Sequence, residues 1–191
     1  SAPLGIQVPG VKAGIALVTR QPAFIWVDQY GKRFCDEKGL DYHCSWMAVN
    51  HFDAIRHKYP AIPCFMVMDE SYIKAGPLVS AGGSGYAINR ENYVWSKDNS
   101  AEIKSGIIVK ADTLAELAQK LDIPAKALES TVAQWNSDLK THGIDTQFGR
   151  RISADPKQKS VFVGRDVKAW SAPLSEKGPY YAVRLVPVLY H

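Results

Sequence analysis

The chain has 191 residues, 46% of them hydrophobic and 22% charged, enough apolar chain for one domain with its own core. Its net charge of +4 comes from 23 basic and 19 acidic residues. The basic residues are scattered, apart from Gly149-Arg150-Arg151 and Lys157 to Lys159, so no nucleic-acid surface is expected; no apolar run approaches the ~20 residues of a membrane-spanning helix. No leader sequence is visible, and Ser1-Ala2 matches the scar that a removed tag leaves. The cytoplasm is the favoured compartment, with export of a longer parent left open.

In chain order, Ile15 to Val18 and Phe24 to Val27 are short apolar runs that predict strands, separated by Arg20-Gln21-Pro22. Val27 to Phe34 predicts a hairpin, with Gly31 at a turn position that tolerates positive φ. Tyr42 to Lys58 carries Trp46, Val49, Ala54 and Ile55 at passable helical spacing and stops before Pro60. Cys64 to Met68 predicts a buried strand, and Gly106 to Lys110 another.

Two helices follow. Thr113 and Glu116 form a capping box, and Leu114, Leu117, Ala118 and Leu121 share one face. Asp122 then predicts an N-cap, with Pro124 in the first turn of a helix whose Leu128, Val132, Trp135 and Leu139 read as core and whose end is Gly143. Asp145 to Lys177 is polar, rich in proline and glycine, and without a period. Tyr180 to Val186 is the last strand. Strands and helices without regular alternation argue an α+β domain.

The chemistry-bearing residues form no self-contained catalytic set. Cys35, Cys44 and Cys64 match no metal or redox spacing and read as buried reduced thiols, with a disulfide or a reactive thiol as the alternative. The five histidines show no metal-binding pattern, so no metal is assigned. Gly82-Gly83-Ser84-Gly85 lacks the third glycine of a dinucleotide fingerprint, because Ile88 stands there, and reads as a flexible turn. An independent, non-catalytic α+β ligand-binding module has the same composition and stays open on these grounds.

Five segments in order carry a resemblance. They are Gly31-Lys32-Arg33-Phe34 followed by Asp36-Glu37, Ala111 to Ala118, Ile123 to Val132 with Asn136, Gly143-Ile144-Asp145 leading to Phe148-Gly149-Arg150, and Pro179 to Arg184. Over nearly its whole length the chain resembles the substrate-capping domain of the fumarate reductase/succinate dehydrogenase flavoprotein and 3-ketosteroid dehydrogenase family. The resemblance implies a small mixed or antiparallel sheet with packed helices, one domain over residues 1–191, inserted between two halves of an FAD-binding domain. It implies FAD in the parent enzyme and none bound by the 191 residues alone. It also implies the FAD-binding domain of the same parent chain as partner, and a steroid-like or unsaturated-acid substrate whose CH–CH or C=C bond meets the flavin.

The same resemblance nominates site residues. The fumarate reductase branch has an acid arginine soon after the acidic pair, a glutamate at the position of Leu17, and a histidine at the position of Tyr190; this chain has none of the three. The ketosteroid dehydrogenase branch has a tyrosine near the acid position, which Tyr42 matches after one extra residue, so the ketosteroid-like reading is favoured. Tyr42 is the expected catalytic residue, and Arg20, His43, Tyr190 and His191 the expected substrate-binding residues. Gly31, Arg33 and Phe34 are expected to serve structure, as a turn glycine, a charge paired with the acidic residues, and a core aromatic.

Overall fold

In chain order, the computed structural model has strands β1 (Leu4–Ile6), β2 (Ile15–Ala16) and β3 (Phe24–Val27), helix α1 (Trp46–Val49), strand β4 (Cys64–Asp69), helices α2 (Glu70–Lys74) and α3 (Ser100–Ser105), strand β5 (Ile108–Ala111), helices α4 (Leu114–Leu121) and α5 (Ala125–His142), and strand β6 (Tyr180–Pro187). It describes residues 3–10, 14–17, 19, 21–40, 45–79, 93–152 and 170–188. The strands form one sheet in the order β2-β1-β6-β4-β3, with β5 also paired to β6, and every pairing is antiparallel.

Strand β6 is the centre of the sheet. One edge pairs with β4 from Tyr180 to Leu185; the other is shared end to end by β5, opposite Tyr180 to Val183, and β1, opposite Leu185 to Pro187. Alternate side chains of the central strands enter different cores, as the strand period requires. Phe24, Trp26, Met66, Met68, Val183 and Leu185 face one layer, with Val49, Tyr72 and Trp95 packed over them. Ile25, Val27, Phe65, Val67 and Ala182 face the other, beneath Leu117, Leu121, Leu128, Val132 and Trp135 of α4 and α5. Burial on both faces is why Phe24–Val27 and Cys64–Asp69 are unbroken apolar runs rather than alternating ones. Each fully buried large aliphatic or aromatic side chain there contributes about 1.5–3 kcal/mol.

Several expectations need correcting. Val27 to Phe34 is a turn and not a two-stranded hairpin: Asp28 N–H donates to Lys32 O at 2.9 Å, Gly31 has φ +72°, and β3 takes β4 as its ladder partner. The long helix from Tyr42 to Lys58 reduces to the four residues of α1 among those described. It ends at Asn50, and the Asp53 side chain then draws the Ile55 and Arg56 N–H groups into a turn closed by an Asp53–Lys58 bridge. A short polar acceptor competes in this way with helical bonding. Asp122 caps the end of α4 with φ +56°, and Pro124 takes the N-cap of α5. Gly106 closes α3, so β5 starts two residues later than expected.

The capping box holds, with Glu116 N–H donating to Thr113 Oγ1 and Glu116 Oε2 accepting from Asp112 N–H. Cys35 and Cys64 are buried free thiols, pushed up by burial. Cys44 and the cluster Gly82 to Gly85 lie outside the described residues.

Candidate active-site region

Arg20, Tyr42, His43, Tyr190 and His191 all lie outside the described residues. Their flanking residues are described, and these converge on β1. Leu4 pairs with Pro187, three positions before Tyr190. Its N–H donates to Ser45 Oγ at 2.8 Å, two positions after His43, and its carbonyl accepts from Leu17 N–H at 3.2 Å, three positions before Arg20. Val188 N–H donates to Pro3 O at 2.9 Å. The close approach depends on Gly5, where a Cβ would lie 2.5 Å from Ile15 O and 2.7 Å from Val188 Cγ2.

A second tie joins two of the same flanks. Lys38 Nζ donates to Thr19 O at 2.7 Å and lies 5.3 Å from the centre of the Phe24 ring. Burial, reinforced by Arg150, brings the Lys38 ammonium down to about 7 against the pull of Glu37 and Asp36. A lysine so placed exchanges its proton near neutrality, which an exposed one does not.

Beside it stands a buried ionic cluster. Arg33 makes paired bonds to Glu37, at 2.9 Å from Nε to Oε1 and 2.8 Å from Nη2 to Oε2, and its Nη1 lies 2.7 Å from Asp145 Oδ1 as an ion pair. Arg150 Nη1 reaches the same Glu37 Oε2 at 3.2 Å. The two guanidiniums lie against aromatic faces, Arg33 4.5 Å from Trp135 and Arg150 4.2 Å from Phe24. Burial opposes ionisation of Glu37, but Arg150 and Arg33 outweigh it and hold the carboxyl below its usual range. Two cations and two anions compensate one another, so the charges survive burial.

The cluster also closes an edge. Among the described residues no strand lies beside the outer side of β3; Trp26 N–H there donates to Glu37 Oε1 at 2.9 Å, and Phe24 O accepts from Arg150 Nη1 at 2.8 Å. Side chains thus satisfy backbone groups that a further strand would otherwise take. Arg33 and Gly31 have the structural roles expected of them, and Phe34 packs partly buried on the core. Arg150 and Lys38 were not singled out from sequence. Arg150 stands in the quoted Phe148-Gly149-Arg150 segment and Lys38 follows Glu37, but a lone basic residue in a loop carries no signal of burial.

A depression of about 470 Å³ is lined by Phe65, Val109, Leu121 and Arg184 among other described residues. Among the described residues no three His, Cys, Asp or Glu side chains are placed to share a metal ion, and no helix is long and apolar enough to cross a membrane. The described residues do not fit a dinucleotide either. The strand-to-helix turns β4–α2 and β5–α4 carry Asp69-Glu70 and Asp112 with Glu116 where a pyrophosphate needs glycines and bare N–H groups. Asp69 and Thr113 already occupy the first helical N–H groups.

The profile of the FAD binding domain family matches residues 2–191. The chain belongs to this family of FAD-dependent oxidoreductases. It is 28% identical over 185 residues to 3-oxosteroid 1-dehydrogenase of Mycolicibacterium smegmatis, a match that covers 87% of this chain and 27% of that protein. It is 30% identical over 181 residues to NADH:acrylate oxidoreductase of Vibrio harveyi, covering 92% of this chain and 13% of that one. The chain therefore spans about a quarter or less of these relatives. In fold it is similar to 3-ketosteroid delta1-dehydrogenase from Sterolibacterium denitrificans, with a TM-score of 0.66, 23% identity, and coverage of 97% of this chain and 31% of that one.

Proposed function

We propose that this chain is the substrate-capping portion of a flavin-dependent dehydrogenase or reductase, closing over a CH–CH or C=C bond beside a carbonyl group. The observation that carries the reading is the convergence at Leu4 of Leu17, Ser45 and Pro187, which flank Arg20, Tyr42-His43 and Tyr190-His191. Each nominated group is two to four residues along the chain from its flank, so at ~3.3–3.6 Å per extended residue the chain itself allows no more than roughly 14 Å between a group and its flank. The hydrogen bond between Val188 and Pro3 supports an insertion that leaves and re-enters its parent at neighbouring points. The acidic strand-to-helix turns support a flavin held by other parts of the parent chain.

In this reading the flavin, when bound, supplies the hydride chemistry. The residues of the cap orient the substrate, exclude water and handle the proton. Tyr42 exchanges that proton through its phenol, whose ordinary value near 10 requires a partner to act at neutral pH. Arg20, His43, Tyr190 and His191 bind the substrate. The relatives divide between a steroid and acrylate. The steroid-like substrate is favoured, because the sequence lacks the acid arginine, the glutamate and the histidine of the fumarate reductase branch.

The test is Tyr42→Phe in the full-length enzyme. A positioned acid or base contributes ~10²–10⁴-fold, so kcat is expected to fall by that factor while KM and thermal stability change little. A turnover within threefold of the unsubstituted enzyme would remove Tyr42 from the chemistry.

A further inference from the structure

Four large apolar side chains crowd one exposed stretch of the chain. Met47 is 60% exposed, Phe52 52%, Ile55 87% and Tyr59 42%. Phe52 and Tyr59 meet at a tilt of 59° with centroids 5.3 Å apart, so these two exposed rings form one surface. Scattered apolar residues need no explanation, but a contiguous patch of this kind marks a contact.

The patch is held rigidly. Residues 53–58 form a small projecting turn closed by backbone bonds between Asp53 and Lys58 at 2.8 and 3.3 Å. Asp53 accepts from the N–H groups of Ile55 and Arg56 and from the Tyr30 hydroxyl at 2.9 Å, and it pairs with Arg56 Nη1 at 3.0 Å. Gln29 anchors the base, its N–H bonded to Pro60 O and its Nε2 to the carbonyls of Tyr59 and Ile62. His57 completes the turn at φ +52°, a conformation costly for a residue with a side chain. Ile55 is thus displayed at the tip of a braced projection.

Where the chain leaves the sheet says what lies against it. Strands β3 and β6 both run antiparallel to β4, with Val27 opposite Phe65 and Phe65 opposite Arg184. The turn that carries the projection therefore leaves the same end of the sheet as Pro187, two strand spacings away, or about 10 Å. Pro3 is bonded to Val188 at that end. The relatives extend well beyond the matched region, with 27% of the 3-oxosteroid 1-dehydrogenase covered. A parent chain continuing from Pro3 and Val188 would leave at the same end of the sheet as the turn that carries the projection.

We propose that the projection 53–58, with Ile55 at its tip and Phe52, Tyr59 and Met47 at its base, is a docking element that seats in an apolar recess of the flavin-binding part of the same parent chain. The inference rests on the capping reading above. It adds a fixed contact that sets where the cap stops as it closes, separate from the groups that touch substrate.

Thiol labelling of the full-length protein tests it. Ile55→Cys and Phe52→Cys are compared with Glu129→Cys, an exposed position on α5 that serves as the rate standard, with the unsubstituted protein as background. Ile55→Cys and Phe52→Cys are expected to label at least about tenfold more slowly than Glu129→Cys in a sample that carries stoichiometric flavin, independent of protein concentration. Equal rates in a flavin-loaded sample overturn the docking element and leave the capping reading intact. Protection that appears only at high protein concentration assigns the patch to a second copy and overturns it as well. A full-length protein without flavin removes the capping reading, and the docking inference falls with it.

Discussion

Glu37 does three jobs at one carboxylate: it pairs with Arg33, pairs with Arg150, and accepts the Trp26 N–H. Removing one partner of a buried ion pair costs about 3–5 kcal/mol, because the other charges stay behind. Glu37→Gln leaves Arg33 its pair with Asp145 and takes from Arg150 the carboxylate it pairs with. It is expected to lower Tm by roughly 10 °C, which differential scanning calorimetry would read; a loss below about 2 °C would deny the cluster its weight. The sign of the pH dependence follows from the direction of the shift. The folded carboxyl lies below its ordinary value of 4.5, so its contribution is complete above that pH and is lost as pH falls through the folded value. Stability of the unsubstituted protein should therefore drop more steeply below pH 4.5 than that of Glu37→Gln.

Between elements, the tightest described approach is Gly178 against the β5–α4 junction. A Cβ at Gly178 would lie 2.0 Å from Asp112 O, whereas one at Gly143, which ends α5, would meet nothing within 4 Å. Gly143→Ala carries only the strain of φ +66°, about 1–2 kcal/mol. Gly178→Ala carries no such strain but must push the β5–α4 junction away, and is expected to lower the urea midpoint further than Gly143→Ala does; the reverse order would contradict this packing. The same contrast between local and distant causes explains what was legible in the sequence. Strands β3, β4 and β6 and helices α4 and α5 were readable, because two-sided burial and capping chemistry are written into consecutive residues. Strand β1 was not, since Leu4-Gly5-Ile6 is a strand only through β2 and β6. The overlong helix from Tyr42 failed because Asp53 finds its partners in Tyr30 and in nearby backbone, which helical spacing does not weigh. The candidate site residues were nominated through family resemblance and lie outside the described residues. Their supports at Leu4, Ser45 and Lys38 came only from the fold, because each acts on residues distant in sequence.

For the molecule as a whole, the order of synthesis runs against the order of assembly. Strand β6 joins β1, β4 and β5, yet it follows all three along the chain, and Ile6 waits for Leu185. At ~5–20 residues per second, roughly 10–35 s separate the emergence of β1 from that of its partner. Throughout that interval Phe24–Val27 and Cys64–Asp69 are apolar runs without the strand that completes their sheet. Long-range pairing of this kind folds slowly and exposes sticky intermediates. A nascent chain with this design is expected to lean on chaperones until Tyr180–Pro187 has emerged. The neighbouring positions of Pro3 and Val188 offer a way to check the dependence. A circular permutant that places residues 180–188 ahead of Pro3 through a short linker makes the central strand first, and its soluble yield in chaperone-depleted translation extract should exceed that of the natural order.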